Sequence, residues 1–292
     1  MRKIRTYFEL IRFPNTFTAM ADILAGIWIA GVVLDQSHFI QIILLIFASA
    51  CIYATGIILN DFFDFEIDKK ERPERPLTSG RISLRSALRF GLVLLTAGIV
   101  SVSFVSKISF LIACILIVLV FVYNRYSKHH DVFGPLTMGI CRGVNLLLGL
   151  SVAPDKLAQF WWIAGLGFLY IFTVTVMSKG EVGNGIHPNR VRIMAGAILT
   201  CAIVILFLQF DRTWGATVIA VIFFLLWTFS GILPALAKPT SPNIRKAVGT
   251  CILGLPLLDG AVAASFGGWP AFFSVSSFLI LSYIMSRIFP VT

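Results

Sequence analysis

The segment Asn60-Asp61-Phe62-Phe63-Asp64-Phe65-Glu66-Ile67-Asp68 carries an amide and four carboxylates at the end of an apolar run. As a helix it places Asn60, Asp64 and Asp68 at i, i+4 and i+8, with Asp61 one step round the same face and Glu66 roughly opposite. Carboxylates so spaced repel, and a divalent cation offsets that cost. Oxygen ligands favour Mg²⁺, which takes one or two carboxylates and completes its shell with water and phosphate oxygens. A solvated helix end capped by acids is the alternative. In the loop that follows, Pro73, Pro76 and Gly80 predict a shaped turn that sets Arg72, Arg75 and Arg81 beside the acids. Metal on one side and guanidinium forks on the other is chemistry for holding a diphosphate. A positive-inside excess supplies the same cations for a different reason.

The elements that must position these groups are membrane helices. The chain is 58% hydrophobic and 13% charged, with mean hydropathy +0.89, which excludes an ordinary water-soluble domain. Apolar runs lie near 15–34, 38–60, 84–105, 108–124, 133–153, 160–178, 193–210, 214–236, 247–266 and 270–289. None alternates as a barrel strand does, so the expectation is an all-α polytopic membrane bundle of nine or ten helices enclosing a central cavity, as one domain over 1–292. Pro256 and Asp259 interrupt the ninth run, which reads as a broken helix. The first run lacks a cleavage signature and is expected to be retained. Short turns near Asp35, Lys107, Asp155, Asp211 and Gly267 alternate with longer, basic links at 61–83, 125–132, 179–192 and 237–246. That asymmetry predicts that the acidic segment and both termini face the cytoplasm, in a bacterial inner membrane. The net charge of +10 then reports loops and lipid headgroups, not nucleic acid. The five cysteines are scattered singly and read as small buried hydrophobes.

Asn60-Asp61-x-x-Asp64-x-x-x-Asp68 followed by Arg75-Pro76-Leu77-x-x-Gly80 resembles the first signature of the UbiA superfamily of intramembrane prenyltransferases. Arg12-Phe13-Pro14-Asn15 with Ala25-Gly26 is similar to that family's first helix. Tyr123 to Lys128 is similar to its tyrosine–lysine turn, at an unusual spacing. Gly139, Arg142-Gly143 and Gly149 are similar to its fifth helix. The resemblance implies Mg²⁺ as cofactor, a polyprenyl diphosphate and a lipophilic acceptor as partners, and transfer of the isoprenoid chain to an aromatic or lipid-like acceptor. It implies metal ligation by Asn60, Asp61, Asp64 and Asp68, and further by Glu181 and Asn184. It gives catalytic roles to Asp64, Asp68 and Glu181, and substrate binding to Arg72, Arg75, Arg81, Tyr123 and Lys128. The second metal loop departs from the pattern. Ser178-Lys179-Gly180-Glu181-Val182-Gly183-Asn184-Gly185-Ile186-His187 keeps one carboxylate, with Asn184 and His187 as weaker donors, and is similar to the EboC-like branch. This departure leaves a second reading open: a carrier, flippase or binding protein that kept one headgroup site.

Asp22, Asn124, Arg142, Asn145 and Asp259 interrupt apolar runs at membrane depth, where polar side chains face a cavity or pair inside the bundle. Arg142 and Asn145 share a helix face and are taken as substrate-binding residues. Pairing of Arg142 with Asp22 or Asp259 as a helix staple is the structural alternative. Phe62, Phe63 and Phe65 are candidates to line an isoprenoid tunnel.

Overall fold

The computed structural model describes residues 2–32, 37–179, 188–208 and 213–289. All secondary structure among them is helical. A short surface helix α1 (Arg2–Leu10) leads into α2 (Phe13–Ile29). Then follow α3 (Phe39–Phe63), α4 (Phe65–Glu71), α5 (Leu84–Ser103), α6 (Lys107–Val122), α7 (Phe133–Leu150) and the short α8 (Pro154–Phe160). The chain closes with α9 (Ala164–Ser178), α10 (Pro188–Phe207), α11 (Trp214–Ala237), α12 (Ser241–Leu253) and α13 (Leu255–Ser286). Serine caps start α5 and α6: Ser83 Oγ accepts from Ser86 N and Ser106 Oγ from Ser109 N.

Eight stretches among the described residues are long and apolar enough to cross a membrane, and α2 adds 17 residues of similar character. The last of the eight, Ser241–Ser286, holds 46 residues. A straight helix of that length runs about 69 Å at 1.5 Å per residue, more than twice a bilayer core of about 30 Å. It is folded instead. Gly268 takes φ 63° and ψ −145°, a conformation open to glycine, and reverses the chain at the short turn expected near Gly267. The limb before it lies against α11, where Thr213 Oγ1 donates to the Ser265 carbonyl and Trp227 Nε1 to the Thr250 carbonyl. The limb after it returns along α2, with Trp28 Nε1 donating to Ser274 Oγ and Ser282 Oγ to the Pro14 carbonyl. The interruption expected from Pro256 falls at Gly254, where α12 ends and α13 begins.

Neighbouring helices form two half-rings that share α2 and α7. One runs α2, α3, α5, α6, α7, and the other α7, α9, α10, α11, α13, α2. The shared pair is close because both sides are glycine. A methyl on Gly26 meets the Leu146 carbonyl, and one on Gly149 meets the backbone of Ile23. A cavity of about 350 Å³ opens between the half-rings, walled by α2, α3, α6, α7, α9, α12 and the start of α13.

Candidate active site

The acidic segment caps one end of this cavity, and its helix is not continuous. Asp64 ends α3 at φ −90°, ψ 5° and precedes α4. The backbone bonds Asp64 N to Asn60 O and Asp68 N to Asp64 O persist across the irregular residue, so the expected facing survives the interruption. Glu66 points away, 80% exposed and paired with Lys69.

The buried acids meet cations directly. Arg75 Nη1 lies 2.5 Å from Asp68 Oδ2 and 3.2 Å from Asp61 Oδ1, while Arg12 Nη2 lies 2.8 Å from the same Asp61 oxygen. Asp61, Asp68 and Arg75 are each under 7% exposed, so this is a desolvated clamp, not a surface ion pair. The loop holds Arg75 in place. Ser79 Oγ donates to the Arg75 carbonyl, Thr78 Oγ1 to the Arg72 carbonyl, and Gly80 turns the chain at φ 73°. Among the described residues no three His, Cys, Asp or Glu side chains converge as a ready-made metal cage.

Asp64 differs from its neighbours. Lys128 Nζ lies 2.6 Å and exposed His129 Nε2 3.3 Å from Asp64 Oδ1. The oxygen is nevertheless out of line for a hydrogen bond and has none. A π turn at Tyr123–Ser127 brings Lys128 there, and its extra residue accommodates the unusual tyrosine–lysine spacing. The same turn points Asn124 inward, where Asn124 Oδ1 accepts from Asn60 Nδ2 at 3.2 Å. Asn60, Tyr123, Asn124 and Arg12 line the cavity.

Sequence reasoning did not single out Arg12 as a site residue. It is the non-glycine residue with positive φ (47°) among those described, and the strained turn between α1 and α2 aims its guanidinium at Asp61. Burial lowers its pKa, Asp61 opposes that shift, and Arg75 adds to it. The signal available beforehand was its place before Phe13-Pro14, a helix start. Arg72 is exposed, with its carbonyl serving the loop. Arg81 reaches Glu9 and the Glu74 carbonyl, which ties the loop to α1 instead of joining the buried acids. Lys179 donates to the His130 carbonyl, drawing the end of α9 to the Lys128 turn. Glu181, Asn184 and His187 lie outside the described residues.

The polar residues at membrane depth converge at the other end of the cavity. Arg142 Nη2 lies 2.8 Å from Asp22 Oδ1 and 3.7 Å from Asp259 Oδ2, so Arg142 meets both of the acids considered for it. Asn145 Nδ2 donates to Asp22 Oδ2 and to the Ala19 carbonyl, and Ser49 Oγ donates to Asn145 Oδ1. Arg142 and Asn145 also line the cavity, so the staple and the lining role coincide. A second groove of about 260 Å³, lined by apolar side chains apart from Thr55, lies between α3, α5 and α6 and shares Ile52 and Val120 with the cavity. The expected phenylalanines do not line either space among the described residues. Phe62, Phe63 and Phe121 stack edge to face in series instead.

Residues 19–181 match the UbiA prenyltransferase family. The chain is 32% identical over 203 residues to the digeranylgeranylglyceryl phosphate synthase of Sulfurisphaera tokodaii, covering 65% of this chain and 70% of that one. It is 36% identical over 155 residues to the synthase of the same name from Methanococcoides burtonii, covering 51% and 55%. The chain thus spans little more than half the length of the second relative. Among solved structures, an apo UbiA homolog from Aeropyrum pernix K1 superposes with TM-score 0.65 at 13% identity, over 93% of this chain and 98% of that one. A UbiA homolog from Archaeoglobus fulgidus bound to GPP and Mg²⁺ gives 0.63 at 15%, over 88% and 99%. At these identities the two structures establish the helical membrane fold.

Proposed function

The chain belongs to the UbiA prenyltransferase family, and from that premise we propose that it is a Mg²⁺-dependent membrane prenyltransferase that moves an isoprenoid from its diphosphate to a lipid-like or aromatic acceptor. The observation that carries this reading is the division of labour at the acidic end. Asp61 and Asp68 are occupied by Arg12 and Arg75, while Asp64 keeps a buried oxygen without a hydrogen bond beside the Asn60 side chain. Asp64 and Asn60 fit an ion that needs one or two protein ligands and takes the rest from phosphate and water. When bound there, Mg²⁺ supplies charge stabilisation to a diphosphate. Glu181 and Asn184 belong to our reading as donors from the second loop.

The protein's own groups then do the following. Lys128 and Tyr123 face the diphosphate, and Arg12 and Arg75 hold the acids in register behind it. The allylic C–O bond breaks, and its electron pair leaves with the diphosphate. The acceptor's nucleophilic atom bonds to the freed carbon and gives up its proton. The apolar wall formed by Ile52, Met138, Ile171, Val174 and Ile252 keeps water from the allylic cation. The 1–292 chain acts as one transmembrane domain in this reading, with its acidic end toward the cytoplasm of a bacterial inner membrane.

The test is binding of geranyl diphosphate and release of diphosphate by purified protein, with and without Mg²⁺, alongside Asp64→Asn and Glu181→Gln. Mg²⁺-dependent release that is lost in both variants is expected. Binding that survives in Glu181→Gln without any release in the wild type would favour a carrier, and absence of binding would overturn the reading.

A further inference from the structure

The cavity has two polar ends, and the second is unexplained by a diphosphate. Ser49 and Asn60 mark the ends on α3, about 16 Å apart at 1.5 Å per residue. Between them the wall is largely apolar. At the inner end one guanidinium stands among two carboxylates, Asp22 and Asp259, each no more than 2% exposed. Arg142 is 8% exposed and lines the cavity, yet its Nε–H has no acceptor. Asp259 Oδ2, 3.7 Å from Arg142 Nη2, has no hydrogen bond. A buried donor and a buried acceptor are thus left open side by side, which is costly unless a third group joins them.

An isoprenoid tail cannot be that group, since hydrocarbon leaves both open. The tail has an apolar route elsewhere, through the groove between α3, α5 and α6. An anionic headgroup is disfavoured too, because two carboxylates already face one cation. A hydroxyl meets both needs: its oxygen accepts from Arg142 Nε–H, and its hydrogen is donated to Asp259 Oδ2.

We propose that the Arg142–Asp259 end of the cavity is the recognition site for an uncharged, hydroxyl-bearing group of the acceptor, and that it discriminates against carboxylates. This rests on the transferase reading above and names the class of its second substrate. Asp259 is a specificity-determining residue in this scheme, and Asn145 and Asp22 position Arg142.

Purified protein is titrated with para-hydroxybenzyl alcohol and with para-hydroxybenzoate, which share a phenol ring and differ in charge, and binding is read by intrinsic tryptophan fluorescence. The alcohol is expected to bind about tenfold more tightly, the scale of one buried polar group left unmet. Asp259→Asn should narrow the gap by admitting the carboxylate. Arg142→Lys keeps the charge but loses the Nε donor, and should weaken the alcohol about tenfold. Equal or tighter binding of the carboxylate, indifference to both substitutions, or no binding of either probe would overturn the inference. Geranyl diphosphate binding with Mg²⁺ is measured in the same wild-type preparation. Its persistence would confine any failure to this inference, and its loss would sink the transferase reading as well.

Discussion

Arg75 and Asp64 stand at one end of the cavity and answer to different physics. Arg75 is the shared partner of two buried carboxylates. Arg75→Ala leaves Asp61 with Arg12 alone and strips Asp68 of its ion pair, so an uncompensated buried charge remains. That change is expected to cost about 3–5 kcal/mol, read as a lowered unfolding temperature in detergent. Asp64→Asn removes a partly exposed acid whose oxygen is unsatisfied, so its unfolding temperature should stay near wild type while diphosphate binding falls. Equal destabilisation by the two substitutions would contradict the division of roles. The sequence grouped Asp61, Asp64 and Asp68 as equivalent ligands. It could not separate them, because the separating partner, Arg12, lies 49 positions from Asp61.

The elements that matter most are α2 and α7. They carry Arg12 and Asp22 on one side and Arg142 and Asn145 on the other, and both half-rings pack on them. Their approach depends on the absence of side chains at Gly26 and Gly149, in keeping with small residues at membrane helix interfaces. Gly149→Ala should push the helices apart and cost about 1–3 kcal/mol in detergent unfolding. It should also weaken substrate binding, since the displaced helices carry both cavity ends. Wild-type stability in this variant would mean that the contact relaxes freely. The glycines themselves were visible in the sequence, whereas their pairing partner was not.

On the scale of the whole molecule, basic loops gather at the acidic end. Arg12, Arg75 and Lys128 all reach the acidic segment, Lys179 reaches the His130 turn, and Arg5 reaches the Ile288 carbonyl. The positive-inside asymmetry predicts that this end faces the cytoplasm. Single cysteines at Ser79 and Asp155, on a cysteine-free background, check it with a membrane-impermeant maleimide. In intact cells only the residue at 155 should react, and labelling at 79 alone would invert the topology.

The sequence by itself determined the class of molecule, the apolar runs and the acidic motif with its turn. These follow from local quantities: transfer free energy, helical period, and the backbone preferences of Pro73, Pro76 and Gly80. It also named Arg142, Asp22 and Asp259 as a possible set, because charged groups at membrane depth need partners. Only the tertiary structure decided which acids are clamped, that Arg81 leaves the site for Glu9, and that Arg142 meets both aspartates at a cavity wall. Those outcomes depend on distances between helices far apart in the chain, set by how closely α2 and α7 pack.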